Sequence, residues 1–402
     1  MKKFVIILCD GMADRPNENG LTPMDEAKKP IIDALCARSE VGLARSVPDG
    51  MKPGSDVCNL AALGYDPKQC YTGRSPLEAI SMGITLAEND VTFRTNLVTL
   101  SEGKALSDRI MLDYSAGEIT TAESSAIIDA LKPTFKKYGV ELHAGISYRH
   151  TAVIRNEGNT HTALTPPHDI TNKPIESHLP QGKLGNLFTE LIERSIDVLS
   201  EHPVNIERKK RGLNQATCVW FWGEGTKPKL NGFYEKFGKR GAVISAVDLV
   251  KGIGKAAGMT VINIPSATGT VDTDYEAKAT AAISALETHD FCFVHLEGPD
   301  ECGHQGDRRG KITAIERIDS RIVEPIYKYL MSRGEPFTMC VMPDHATPLG
   351  VRTHTAEPVP YMIYDSEREL NGCAAFTEKT AKATGKLFDN SFDILPHMFK
   401  KR

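Results

Sequence analysis

Phe337-Thr-Met-Cys-Val-Met-Pro-Asp344-His345 is a mostly apolar run that ends on an acid and an imidazole. It has two counterparts. Asp10 closes Phe4-Val-Ile-Ile-Leu-Cys, and Asp300 with His304 follows Phe291-Cys-Phe-Val-His-Leu, while His354 lies just beyond the first pair. Runs of this kind predict strands buried on both faces of a largely parallel sheet. Ligands of such sheets bind beyond the carboxyl ends of the strands. Acids and imidazoles far apart in sequence can therefore converge there, and their natural product is a metal site for two ions.

Each pair alone carries little weight. Asp300 and His304 stand four apart, on one side of a helical turn if the segment is helical, but a single such pair is commonly a surface feature. Asp10-Gly11 alone would read as a turn. Together, on three strand ends, they point to function. Mixed carboxylate and imidazole donors suit Mn2+ or Zn2+, and suit Mg2+ less well.

Working outward, residues 3–9 and 41–47 read as strands, with short helices at 56–63 and 76–82. Strands near 216–221, 241–245, 259–264, 290–296, 337–342 and 360–364 alternate with helices near 247–257, 274–287 and 311–332. Between these parts the character changes. Strands are expected at 91–99, 140–144 and 151–155, helices at 120–138 and 184–199, and a loop-rich connector at 156–182. The expectation is an α/β fold with a doubly wound, mostly parallel sheet, formed by residues 1–85 and 205–402. A smaller α+β cap domain, 86–204 with the connector, is inserted into it.

Composition narrows the function. The chain has 402 residues, 41% hydrophobic and 25% charged, with a formal net charge of −4. That is an ordinary globular balance, and it argues against a general nucleic-acid binder while allowing a local cationic pocket. Nine scattered cysteines without a CxxC pair fit free thiols in a reducing cytosol. The apolar segment after Met1 is too short for a signal peptide, and no run approaches the ~20 apolar residues of a membrane helix. A cytoplasmic protein with no membrane or nucleic-acid partner is expected. The sequence does not fix an oligomeric state.

Pro53-Gly54-Ser55-Asp56 supplies a candidate nucleophile. Read plainly, Ser55 is an N-cap for the helix that follows, which stops at Gly64. Free N–H groups at a helix start also favour phosphate, and a divalent cation beside a serine activates its hydroxyl. Cap and nucleophile are compatible roles. Three further features read as structure: Arg208-Lys-Lys-Arg211 as a solvated helix end, Trp220-Phe-Trp222 as sheet core, and Cys302 as a buried filler.

With these segments quoted, the chain resembles the alkaline phosphatase superfamily, and within it the archaeal-type, cofactor-independent phosphoglycerate mutases. Cys-Asp10-Gly11-Met, Pro-Gly-Ser55-Asp, Leu-Gly-Tyr-Asp-Pro67, Ser-Ala-Val-Asp248-Leu, Pro-Ser-Ala-Thr-Gly269, Asp300 to His304, Pro-Asp344-His345 and Thr-His354 carry the likeness in order along nearly the whole chain. The resemblance implies two divalent ions, one held by Asp10, Ser55, Asp344 and His345, the other by Asp300, His304 and His354. It implies that Ser55 takes the phosphoryl group of 3-phosphoglycerate, which the reoriented glycerate then removes through its other hydroxyl. The resemblance implies a small phosphorylated metabolite as substrate. In the cap, Asp113 stands where a general acid/base is expected, Arg149 is the expected anion clamp, and Asp108 and Arg109 are further substrate-binding candidates. Thr22-Pro23 and Gly73-Arg74-Ser75-Pro76 are family-like but have no assigned role.

One segment departs from the pattern. The mutases favour Asp-Arg-x-Ala-Gly-Arg, whereas this chain has Asp113-Tyr114-Ser115-Ala116-Gly117-Glu118. Two cationic positions have become Tyr and Glu, a variation that also resembles a homoserine kinase-like branch. The alternatives are thus a phosphotransferase of that kind on the same scaffold, or a phosphomonoester hydrolase. A non-catalytic binding module would leave the donors and the serine without purpose.

Overall fold

The computed structural model describes residues 2–400. In chain order the described strands are β1 (Lys3–Cys9), β2 (Glu40–Ala44), β3 (Val91–Leu100), β4 (Met111–Asp113), β5 (Val140–His143), β6 (Arg149–Ile154) and β7 (Cys218–Thr226). They continue with β8 (Gly241–Ile244), β9 (Thr260–Ile262), β10 (Phe291–Leu296), β11 (Phe337–Met342), β12 (Val359–Asp365) and β13 (Leu387–Phe388). The chain divides into two units, Met1–Tyr71 with Lys229–Arg402, and Thr72–Pro228.

The larger unit holds an eight-stranded sheet in the order β13-β2-β12-β11-β1-β10-β8-β9. Pairings are parallel except those of β12 with β11 and with β2. The three acid-ended runs therefore become the adjacent central strands β11, β1 and β10. Their interiors, such as Val5, Ile7, Val294 and Val341, are fully buried, as continuous apolar composition requires. The helices Pro30–Cys36, Tyr275–Thr288 and Arg308–Ile318 cover one face through Ile32, Leu35, Ala282, Leu286 and Ile315. The helix expected over 311–332 is interrupted at Asp319–Val323 by a wider π turn. Asp319 there accepts the backbone N–H of Ile32 at 2.7 Å and so caps the helix beginning at Pro30.

The smaller unit is built on β3, which pairs antiparallel with β4, β6 and β7, with β5 beyond β6. The helices Thr121–Lys137 and Gly185–Ser200 pack Ile127, Leu131, Phe135, Phe188 and Leu191 against Phe93, Trp220 and Phe221. Two segments fall elsewhere than expected. The helix Ser75–Ser81 and strand β7, both assigned from sequence to the larger domain, belong to this unit. Cys-Val-Trp-Phe-Trp is apolar enough for any buried strand, and its pattern carries no information about which sheet it joins.

Arg208 also departs from its reading as part of a solvated helix end. It is 2% exposed, paired to Glu123 at 2.8 Å, and donates to the carbonyls of Ala116 and Asn214. Lys209, Lys210 and Arg211 remain exposed. Among the described residues, no helix is long and apolar enough to cross a membrane.

Candidate metal centre and phosphotransfer serine

Beyond β1 the chain must turn at once, and Gly11 does so with φ +61°. A Cβ at Gly11 would stand 2.5 Å from Asp300 Oδ1 and 2.7 Å from Asp300 Cα. Only glycine permits both the left-handed turn and this approach to the helix Gly298–Gln305, which carries Asp300. Asp10, just before it, is buried. Its Oδ2 lies 2.9 Å from His295 Nε2 and its Oδ1 3.3 Å from His345 Nε2.

Asp344 and His345 follow β11 and are fully buried. Asp344 Oδ1 accepts the backbone N–H groups of Gly11 at 3.2 Å and His345 at 2.9 Å. Its Oδ2 accepts from Asn59 Nδ2 at 2.9 Å. Asn59 also donates to the carbonyl of Ser55, which ties the helix Ser55–Ala62 to the end of β11. Ser55 is the first residue of that helix and Gly54, extended at φ −177°, is its cap. The side-chain cap expected of Ser55 is absent from the described hydrogen bonds of this helix, which leaves its hydroxyl for another role. Ser55 Oγ points to His345 Nε2 at 3.2 Å.

Asp300 and His304 lie on the helix Gly298–Gln305, one turn apart as their spacing predicts. Asp300 Oδ2 is 3.2 Å from His304 Nε2, and Asp300 Oδ1 is 3.4 Å from His354 Nε2. His304 Nε2 and His354 Nε2 stand 3.0 Å apart. Five of the expected ligands form two groups that share His345, one of Asp10, Asp344 and His345, the other of Asp300, His345 and His354, with Ser55 and His304 adjoining them. The imidazole rings of His345 and His354 lie 3.9 Å apart.

The charges are unbalanced without a cation. Burial raises the Asp10 carboxyl well above its ordinary pKa, and the neighbouring Asp344, Asp300 and Glu297 raise it further. Burial also opposes ionisation of Asp300, but His304 and His354 outweigh it and hold that carboxyl far below the ordinary range. Contact with Asp300 pushes His304 up to about 9. Asp10 Oδ1 is buried with no hydrogen-bond partner, and such an orphan calls for an unseen group. Donors about 2.0–2.2 Å from one small ion stand roughly 3–3.5 Å from each other, which matches the 3.0 to 3.4 Å separations here. The donor set fits a divalent ion in each group.

Three residues around the groups escaped the sequence reading. His295 sits inside β10, fully buried, where its Nδ1 also meets Ser245 Oγ at 3.2 Å. Burial pushes its pKa down to about 4. Its signal was an imidazole within an apolar run, where only a partner can satisfy it. Asn59 and Thr347 gave no comparable signal, since small polar residues near strand ends are common.

The other candidates belong to the smaller unit. Asp113 accepts from Ser115 N and Oγ, Gly117 N and Asn214 Nδ2. Burial opposes its ionisation, yet these donors hold it below the ordinary carboxylate range. A charged Asp113 can accept a proton but has none to give at neutral pH. Arg109 donates to the carbonyls of Ser101 and Gly103, and Asp108 accepts the N–H of Ala105. Both stitch their own loop together. Arg149 is exposed, with its guanidinium 5.4 Å from the Tyr148 ring.

One cation here was missed by the sequence reading. Arg94, in mid β3, pairs with Glu78 at 2.9 Å and stacks on Trp222 at 3.9 Å. Trp222 is therefore a platform, unlike the core residue Trp220. Arg74 and Arg149 also act electrostatically on Glu78. Tyr114 completes the aromatic wall, edge-on to Tyr148 at 5.7 Å and to His168 at 6.1 Å.

Comparison with known proteins adds the family. A family model described as 2,3-bisphosphoglycerate-independent phosphoglycerate mutase matches residues 36–205. A protein of that name from Methanosarcina mazei is 48% identical over 383 residues, covering 94% of this chain and 95% of the relative. Another, from Methanothrix thermoacetophila, is 46% identical over 385 residues, covering 95% and 96%. A solved protein from Pyrococcus horikoshii superposes with TM-score 0.83 at 28% identity, covering 100% of this chain and 98% of that one. The cofactor-independent phosphoglycerate mutase of Thermoplasma acidophilum shares the fold, with TM-score 0.69 at 23% identity over the whole of both chains. With near-complete coverage at this level of identity, the chain belongs to the 2,3-bisphosphoglycerate-independent phosphoglycerate mutase family.

Proposed function

We propose that this chain interconverts 3-phosphoglycerate and 2-phosphoglycerate through transient phosphorylation of Ser55. The observation that carries the mechanism is the Ser55 hydroxyl at a helix start, 3.2 Å from His345 in the Asp10–Asp344–His345 group. The relatives' names supply the substrate.

Asp10, Ser55, Asp344 and His345 would hold one divalent ion, Mn2+ or Zn2+ by donor type, and Asp300, His304 and His354 the other. Bound ions of this kind supply a Lewis-acid field that acidifies the serine and offsets phosphoryl charge. In the forward reaction Ser55 Oγ bonds to phosphorus while the bond from phosphorus to the glycerate 3-oxygen breaks. That oxygen takes the proton the serine gives up. The bound glycerate then presents its 2-hydroxyl, which bonds to phosphorus as the serine oxygen leaves and recovers a proton. Free N–H groups at the start of the Ser55 helix favour the phosphoryl oxygens throughout.

Within the smaller unit, Arg94 and Arg149, with Arg74 acting on the same Glu78, are the cations whose charge suits a carboxylate or phosphate. Arg94 and Arg74 answer the loss of cations at Tyr114 and Glu118. This favours the mutase reading over the homoserine kinase-like one. Ionised Asp113 would serve as proton acceptor.

Ser55→Ala is expected to lower interconversion by at least about 10^4-fold. Mn2+-loaded protein is assayed without added bisphosphoglycerate, with 31P resonance following both isomers. Homoserine with a nucleotide donor is tested in parallel. Activity of Ser55→Ala within tenfold of the parent would overturn the serine mechanism, and phosphohomoserine formation would favour the kinase-like branch.

A further inference from the structure

Between the two ligand groups lies Thr347, fully buried and on the loop after β11. Its Oγ1 donates to Asp300 Oδ1 and lies 3.2 Å from His345 Nδ1. One hydroxyl thus touches one ligand from each group. The surrounding chain makes room for it. A Cβ at Gly11 would come within 2.6 Å of Thr347 Oγ1, and one at Gly303 within 2.8 Å of Thr347 Cγ2.

A threonine hydroxyl has a single hydrogen. That hydrogen is directed at Asp300 Oδ1, the nearer of its two partners and a carboxylate oxygen that accepts. The Thr347 oxygen can then only accept from His345, which places the imidazole proton on Nδ1. The Nε2 lone pair is left facing Ser55 Oγ at 3.2 Å, Asp10 Oδ1 at 3.3 Å and Asp344 Oδ2 at 3.4 Å. Without Thr347 the preference would reverse. Two carboxylates beside Nε2 draw the proton to that nitrogen, where it would block the lone pair a metal ion needs.

The hydroxyl is itself held in place. Lys311, with a fully buried side chain, donates to the carbonyl of Thr347 at 2.9 Å and to Asp14 Oδ2 at 2.7 Å. Asp14 in turn accepts the N–H of Leu349, two residues beyond Thr347. The Asp14 N–H donates to Glu378, which also accepts from the Thr22 hydroxyl. This network gives Thr22 a place: its hydroxyl shares Glu378 with the Asp14 N–H.

We propose that Thr347 is a positioning residue that fixes His345 in its Nδ1-protonated form, braced by the Asp14–Lys311 pair. The proposal rests on reading His345 as a metal ligand, but its first test needs no metal. Full-length protein labelled with 15N-histidine, stripped by chelator and held near pH 8, is observed by long-range 1H–15N correlation. The wild type is expected to show His345 protonated on Nδ1 alone. Thr347→Ser keeps this pattern, and Thr347→Val moves the proton to Nε2 or mixes the two forms. Mn2+ affinity, followed by electron paramagnetic resonance, falls about 10–100-fold in Thr347→Val and recovers in Thr347→Ser. A wild-type ring protonated on Nε2, or on both nitrogens, overturns the proposal whether or not any variant folds. Unchanged tautomer and Mn2+ affinity in Thr347→Val would overturn it as well. A wild type that carries the Nδ1 proton yet binds no Mn2+ would instead refute the metal reading while leaving the tautomer assignment intact.

Discussion

The two units place their polar chemistry in opposite ways. In the larger one the candidate ligands stand at or just beyond the ends of adjacent buried strands, where the backbone alone brings Asp10, Asp300 and Asp344 together. In the smaller one Arg94 lies in mid-strand, and Asp113, Arg109 and Arg208 are engaged by their local surroundings. The lesson is about tolerance. A site formed by converging strand ends depends on backbone approach to within tenths of an ångström, whereas one built from side chains on a sheet depends on charge and stacking.

Two glycine substitutions test this most severely. Gly11 and Gly139 both have positive φ, +61° and +75°. Around Gly139 nothing lies within 4 Å of an added Cβ, so Gly139→Ala is expected to cost only about 1 kcal/mol of conformational strain. At Gly11 the same Cβ meets Asp300 backbone and carboxylate. Gly11→Ala is expected to weaken Mn2+ binding by more than about 100-fold, beyond the range usual for outer-shell changes. Calorimetric titration of both variants reads this directly. Equal Mn2+ affinity in the two would remove the claim that backbone approach governs the site.

Arg208 probes the smaller unit. Arg208→Met would leave Glu123 without its partner and the carbonyls of Ala116 and Asn214 without their donors. Because Glu123 retains some solvent access, the expected loss is about 2–3 kcal/mol, below the full penalty for a broken buried pair. Urea unfolding measures it. Mn2+ affinity should stay unchanged, and a parallel fall in it would show that the two kinds of chemistry are not separable.

These contrasts also explain what could be read in advance. Asp344-His345 and Asp10 were legible because a buried apolar run fixes where its last residue emerges. Asp300 and His304 were legible because their spacing of four survives any helix placement. Ser55 was found, but it was read as the helix cap when Gly54 holds that position and Ser55 is the first helical residue, since propensity cannot separate the two. Arg94 was missed because a charge inside an otherwise apolar strand carries no mark of its partner, and Glu78 arrives from a helix whose unit was itself misassigned. The same blindness put β7 in the wrong sheet. Arg208 read as solvated because its neighbours Lys209, Lys210 and Arg211 are. Tertiary pairing decides such positions, and no local pattern encodes it.

Two arginines of the smaller unit provide the next contrast, as tests of the proposed substrate recognition. Arg94→Met is expected to raise KM for phosphoglycerate by about tenfold or more, the scale of one lost charge-assisted contact. Arg109→Met should leave KM within about twofold, because that guanidinium is occupied by the carbonyls of Ser101 and Gly103. Steady-state kinetics in both directions, with kcat recorded alongside, compares them. A larger KM effect from Arg109 would return it to the substrate and demote Arg94 to structure.

The smallest expected effect concerns pH. Burial tends to raise the Glu78 carboxyl, but Arg94 and Arg74 outweigh it, so the folded value lies below the ordinary one. A depressed folded pKa stabilises the protein above the unfolded value of about 4.3 and loses that contribution as pH falls through the folded value. Glu78 keeps partial solvent contact, so the contribution is about 1 kcal/mol or less. Thermal unfolding of wild type and Glu78→Gln should therefore differ at pH 7 and converge toward pH 3. A gap independent of pH would assign the difference to packing of the helix Ser75–Ser81 rather than to charge. In that case Arg94 would be held by Trp222 alone, and the smaller unit would resemble the larger one in relying on shape.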